Sequence, residues 1–278
     1  MMRSMISRLA VFLSIFLVCS TAAGESNVWQ NLDQGLSLGR FKPPKKSHRS
    51  EYPVMVLKID PTFYSFKLLS ASEHGHCART AKDWCKEFGL VAATNASMYQ
   101  LKFSTKSTGY MTNFNHVNNV QMNRQFGAFM VFNPAEPTLP RVQIVDRYLQ
   151  SNWNSVIKKY NTVVQNYRMI ANGEKVGWPQ QQKTYSTAAI GMDGDKNVLF
   201  IFCRVLYSTH DFIHILLELP IKIKSAMYVE GGPEASLYVQ VGNKEMECTG
   251  SYKTGFMGDG KNKSAWPIPN VIGILKRK

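Results

Sequence analysis

The sequence predicts an α+β fold: a mixed, largely antiparallel sheet with flanking helices in a single domain. Three observations carry this. Short apolar runs bounded by turn residues recur along the chain, the helix signals between them are few and short, and no internal repeat is present. The composition agrees: 278 residues, 44% hydrophobic and 19% charged, exclude a disordered or collagen-like chain. A chain of this length buries enough surface to fold without metal or disulfide staples.

At the N-terminus, Arg3 and Arg8 accompany an apolar run from Leu9 to Val18, and Thr21-Ala22-Ala23 supply small residues at a cleavage point. This pattern reads as a secretory signal over residues 1–23, too short for a comfortable membrane span. The expectation is an exported chain, periplasmic or extracellular, with no integral membrane span once the signal is removed. Cleavage takes two arginines from a net charge of +14, leaving about +12. Four cysteines then remain, Cys77, Cys85, Cys203 and Cys248, an even count that permits disulfides in any of the possible pairings.

Residues 24–50 read as an N-terminal strand and linker region, ending in the basic, proline-containing FKPPKKSHRS from Phe41 to Ser50. The main domain is expected over 51–278. PVMVLKID and FYSFKLLS predict two strands joined by the turn-forming Asp60-Pro61-Thr62. A short helix follows over Thr80–Phe88, then a buried strand in LVAATN. QFGAFMVFNP predicts another strand, and a helical piece is expected within Asp146–Lys159, where Asn152 and Asn154 weaken it.

Ala188–Met192 and Val198–Phe202 are apolar strands around a hairpin loop, Asp193 to Asn197. Ser208 with Asp211 three residues on forms a capping box, and Pro220 closes the helix it starts. AMYVE predicts a strand ending at Gly231-Gly232-Pro233. SLYVQV and NVIGIL complete the set.

Chemistry concentrates in MYVEGGPEASLYV. Its strand delivers Glu230 to a turn where Gly231 and Gly232 let backbone N–H groups approach a ligand. Glu234 lies just beyond, so two carboxylates flank the turn, the pairing that glycosidic cleavage uses. A tight turn with two exposed glutamates is the plainer alternative. Asn95 closes a buried strand, where its amide can hold a sugar hydroxyl, a phosphate oxygen, or only a turn. His116, among five asparagines from Asn113 to Asn123 that include Asn118, is the proton-transfer candidate outside the glutamates. His210, His214 and Glu218 stand at i, i+4 and i+8, a spacing open to metal ligation, but the helical wheel places them opposite the apolar arc, so they read as a solvent face. The HGHC stretch, His74 to Cys77, has no downstream partner pair for zinc. No metal and no cofactor are expected. The basic charge alone would admit a nucleic-acid partner, but the aromatics follow the strand pattern and do not interleave with basic residues, so none is expected.

Five stretches in order, ATNASMY, GYMTN with HVNN, STAAIGMDGDKNVLFIF, AMYVEGGPEASLYV and IPNVIGI, resemble the phosphodiester glycosidase domain family across Val54 to Leu275. The resemblance implies an α+β domain that hydrolyses a sugar-1-phosphodiester and leaves the phosphate on its acceptor. It also implies a carbohydrate or glycosyl-phosphate partner. The family's strand-end Asn would correspond to Asn95, and its acidic-Gly-Gly turn to Glu230, Gly231 and Gly232. The family generally has Asp at that acidic position, followed after the glycines by small hydroxyl residues; here Pro233, Glu234 and Ala235 follow, with only Ser236 bearing a hydroxyl. Where the family often carries Arg-Thr, this chain has Ser186-Thr187, so the natural phosphodiester clamp would have to come from elsewhere, with Arg204 as the candidate. The expected function is hydrolysis of a glycosyl phosphodiester or related anionic envelope glycan. The alternative is a non-catalytic envelope glycan-binding protein that kept the fold.

Overall fold

The computed structural model describes residues 28–43, 52–102, 104–251, 262 and 264–277. The expected signal segment lies outside these residues, as does most of the basic linker.

The chain opens with β1 (Trp29–Asp33), β2 (Leu36–Phe41), β3 (Val54–Ile59) and β4 (Tyr64–Ser70). Asp60 makes the turn between the last two by accepting from the Thr62 and Phe63 N–H groups. Helix α1 (Ala81–Phe88) starts on Thr80, whose hydroxyl accepts from Asp83 N, and ends on Gly89 in the left-handed region. Next come β5 (Ala92–Asn95), β6 (Met111–Asn113), β7 (His116–Asn119), β8 (Ala128–Pro134) and β9 (Val142–Asp146). The helical piece expected before Lys159 is a short one, α2 (Trp153–Ile157).

The second half holds the long β10 (Tyr160–Ala171), β11 (Glu174–Lys175), β12 (Tyr185–Asp193) and β13 (Val198–Tyr207). Helix α3 (Thr209–Glu218) begins at the expected cap, where the Ser208 hydroxyl accepts from Asp211 N. The chain ends through β14 (Ile223–Gly231), β15 (Ser236–Val241), β16 (Lys244–Thr249) and β17 (Asn270–Lys276).

These strands form two sheets. The larger has twelve strands with the path β1-β2-β3-β13-β12-β14-β10-β6-β7, and β8, β9 and β11 attach to its β10 end. The smaller has the order β16-β15-β5-β17-β4. The neighbours β3 and β4 therefore separate, one into each sheet. Every ladder among the described residues is antiparallel. The α+β expectation thus holds in coarse form, with strands outweighing helices more heavily and two sheets where one mixed sheet was expected.

Alternation along β13 shows how the layers stack. Phe200 and Phe202 point into the core between the sheets, meeting Leu237 of β15 and Ile272 of β17. Leu199, Ile201 and Cys203 point the other way, against Phe212, Ile213 and Leu216 of α3. On the far side of the smaller sheet, Trp84 and Cys85 of α1 cover Ala93, Tyr238 and Val271. Strands buried on both faces read as continuous apolar runs, which is why this segment was recognisable. At 25 cal/mol per Å² of apolar surface, each fully buried Phe or Leu in these layers contributes about 2 kcal/mol.

Candidate active site

The site forms where β14 leaves the larger sheet. Along β12 the register runs Ala189 to Tyr228 and then Ala188 to Glu230, so Val229 is an extra residue in the ladder. Such a bulge re-aims the next side chain. Glu230 takes the inward face shared by Ala188 and Val229, between the sheets, and is only 8% exposed. Gly231 is required by close approach: a Cβ there would overlap the Tyr228 hydroxyl. A single tight turn over Gly232–Glu234 then carries the chain into β15 of the other sheet.

Burial pushes the Glu230 carboxyl up to about 8; the Gly231 N–H, donating to its Oε1 at 2.9 Å, pulls the other way, and the Glu234 charge adds to the rise. At neutral pH Glu230 is mostly protonated and able to donate. The Tyr99 hydroxyl stands 3.5 Å from Glu234 Oε1 and is pushed up to about 12 by burial and then by the two glutamates. Burial and Glu230 also hold the Tyr228 phenol well above its ordinary value, so it remains a donor. Thr187 pairs in register with Gly231; its hydroxyl is buried with no hydrogen-bond partner among the described residues.

Asn95 fixes this turn. Its Nδ2 donates to Glu234 O at 3.0 Å and its Oδ1 accepts from Ser236 N at 2.8 Å, while the Ser236 hydroxyl also donates to Glu234 O. Both ends of the amide are spent on the backbone, so Asn95 and Ser236 shape the turn. Sequence placed Asn95, Glu230, Gly231, Gly232, Glu234 and Ser236 together, and the structure brings them together.

Two adjoining clefts open beside the turn. One, of about 500 Å³, is lined by Gly231, Gly232, Tyr185, Tyr228, Thr184 and Lys183 among others. The other, of about 580 Å³, shares Tyr185 and Tyr228 and adds Met98, Tyr167, Arg168 and Trp178. Their rings form a connected wall, with centroids 5.1 Å apart for Tyr167 and Trp178, 5.6 Å for Trp178 and Tyr228, and 6.2 Å for Tyr185 and Tyr228. Sequence reading missed this wall. Trp178 lies in a polar loop, Tyr185 at the start of β12 just after that polar stretch, and Tyr167 and Arg168 on an unrecognised strand; the local signal was Tyr228 itself, two residues before Glu230.

The remaining candidates sit elsewhere. His116 Nε2 is 2.9 Å from the Ser72 hydroxyl, and Asn118 donates to that hydroxyl and to Thr105 O while accepting from Ser107 N. Neither shares a hydrogen bond with the glutamates or the glycine turn. Arg204 grips Thr249 and donates to Asn262 O at 2.6 Å, with its guanidinium over Tyr52. It lines a separate hollow of about 330 Å³ with Glu247 and Cys248, and is not among the residues lining either cleft at the glycine turn. On α3, His214 and Glu218 are exposed, while His210 is half-buried with its ring 4.7 Å from that of His214. No three metal-ligating side chains gather among the described residues, and the four cysteines there are unbridged.

The sequence profile of the phosphodiester glycosidases matches residues 88–275. The chain belongs to the phosphodiester glycosidase family. Among solved structures it is similar to the zebrafish N-acetylglucosamine-1-phosphodiester alpha-N-acetylglucosaminidase catalytic domain auto-inhibited by its pro-peptide, at 13% identity and TM-score 0.59, over 87% of this chain and 84% of that one. A hypothetical protein from Synechocystis matches at 12% identity and TM-score 0.59, over 90% of this chain and 63% of its own length. A Burkholderia pseudomallei protein described as a "putative exported protein" matches at 10% identity and TM-score 0.51, over 80% and 74% respectively. At these identities the structural likenesses establish the fold. No curated protein sequence matches the chain. Among the described residues no helix is long and apolar enough to cross a membrane.

Proposed function

We propose that this protein is an exported glycosidase that hydrolyses a glycosyl phosphodiester, or a related anionic envelope glycan, at the Glu230 turn. The observation that carries the reading is the buried Glu230 carboxyl, held protonated near neutral pH at a strand end whose next two residues line an open cleft. Water adds to the anomeric carbon as the bond from that carbon to the phosphate oxygen breaks. Glu230 gives its proton to the departing phosphate, Glu234 takes one from the water, and the phosphate stays on its acceptor as a monoester. Lys183 on the cleft wall supplies a point charge to the phosphate. Tyr228, which lines both clefts, is a donor available to the sugar. Export rests on the N-terminal signal pattern and on the described nature of the Burkholderia neighbour.

The test is release of reducing sugar from a panel of sugar-1-phosphodiesters by the purified protein, with Glu230→Gln as control. Release that disappears in the variant supports the reading; equal release in both removes Glu230 from the mechanism. The aromatic wall favours a second reading, a glycan-binding protein without turnover. It predicts saturable binding with no release across the same panel.

A further inference from the structure

The Arg168 cleft is built more elaborately than the cleavage reaction requires. Arg168 sits on β10, and its side chain is 19% exposed. Its Nε donates to Asp146 Oδ2 at 2.6 Å, and Asp146 is itself held by the N–H groups of Tyr148 and Leu149. The guanidinium lies over the Tyr148 ring at 4.7 Å. Gly127 makes room for both, since a Cβ there would run into the Arg168 stem and the Tyr148 ring. The fork is therefore fixed in direction, and its two Nη groups have no partner among the described residues. Trp178 closes the other wall in a left-handed backbone conformation, φ 55°, directly before Pro179, and its Nε1 donates to Arg168 O at 2.5 Å. A left-handed backbone is uncommon for so large a side chain, and the hydrogen bond to Arg168 O helps to hold it there.

Two recognition elements thus face one cavity: aromatic faces that suit the apolar face of a pyranose, and an oriented, partly desolvated guanidinium edge that suits a planar or tetrahedral oxyanion. The cavity communicates with the glycine-turn cleft through Tyr185 and Tyr228, which line both. We infer that this cleft is a second subsite, which binds a saccharide unit bearing its own anionic group, phosphate or carboxylate, next to the unit cleaved at Glu230. The substrate is then an oligomeric anionic glycan, with Arg168 setting the specificity. This rests on the glycosidase reading for what happens at Glu230, but the anion subsite can be measured without turnover.

The experiment is calorimetric binding of glucose, glucose 1-phosphate and glucuronate to the Glu230→Gln protein, with and without Arg168→Gln. With Arg168 present, at least one anion should bind about tenfold or more tightly than glucose, as a charge-assisted fork contact provides. Which anion is preferred distinguishes phosphate from carboxylate. In Arg168→Gln that preference should vanish while glucose binding is kept. A preference that survives Arg168→Gln, or no preference with Arg168 present, overturns the inference. If Arg168→Gln does not fold by circular dichroism, Arg168→Lys, which keeps a counter-charge for Asp146 but loses the fork, replaces it; an undiminished preference there also overturns it. Arg168-dependent anion binding without sugar release from any phosphodiester removes the hydrolase reading and leaves this one. Release without the preference does the reverse.

Discussion

Two polar clusters in this protein look alike in composition and differ in how completely their groups are satisfied. Around Ser72, the side chains of His116, Asn118, Ser107 and Ser97 bond to one another and to local backbone; Asn118 alone makes three such bonds. Around Gly231, Asn95 and Ser236 are equally committed, but Glu230 has one backbone N–H, and the Thr187 hydroxyl has no hydrogen-bond partner among the described residues. A saturated network fixes loops. A buried acid with spare capacity beside a cleft is equipped to act on something that enters. Asparagines and a histidine drew attention to the first cluster, yet it is the second that retains unused chemistry.

The largest effect should come from Glu230→Gln. Loss of a proton donor of this kind costs sugar release roughly 100-fold to 10,000-fold. Stability should move the other way. The folded-state value of Glu230 is raised from 4.5 to about 8, so the folded protein holds a proton that the unfolded chain has released. Wild-type stability therefore falls as pH rises through that window and levels off above it, by on the order of a few kcal/mol. Thermal melts from pH 4 to 9 should show that slope in the wild type and its absence in Glu230→Gln. Parallel melting curves would place Glu230 in a wetter environment and dissolve the contrast between the clusters.

Gly231→Ala should cost about 1–3 kcal/mol, because its Cβ overlaps the Tyr228 hydroxyl. Tyr228→Phe in the same chain should recover much of that. A denaturation cycle with no coupling between the two positions would show that the hydroxyl does not sit against the turn.

Asn118→Ala leaves the Ser107 N–H and Thr105 O unpaired inside the protein, and is expected to cost about 1–3 kcal/mol with little change in turnover per folded molecule. His116→Ala should be milder, about 1 kcal/mol for one part-buried hydrogen bond. Should His116→Ala instead lower sugar release roughly 100-fold with its melting temperature unchanged, the histidine belongs to the proton-transfer machinery and the two clusters act as one.

The sequence made the apolar strands legible: β3, β4, β5, β8, β12, β13, β14, β15 and β17, together with both capped helices. It concealed β10. That strand carries Thr162, Gln165 and Asn166 fully buried, so it shows neither clean alternation nor an unbroken apolar run. Gln165 can be buried because its amide is completely satisfied, bonding the N–H groups of Tyr110 and Asn123 and the carbonyls of Asn123 and Phe126. Those partners lie about 40 to 55 residues away and leave no local signal. Missing β10 meant missing Arg168. Arg204, the expected clamp, has its guanidinium held at Thr249 and Asn262 instead.

By itself the sequence determined the local choices: where helices start and stop, which strands carry two apolar faces, and that an acid and two glycines end one of them. Those follow from propensity, capping and periodicity, which act over a few residues. Tertiary structure decided what the acid became. A one-residue bulge against Ala188 turned Glu230 inward, burial raised its proton affinity, and strands distant in sequence brought the Tyr228, Trp178 and Arg168 walls to the same opening. Desolvation and cleft geometry depend on what packs around a residue from elsewhere in the chain, and that is settled only when the sheets close on each other.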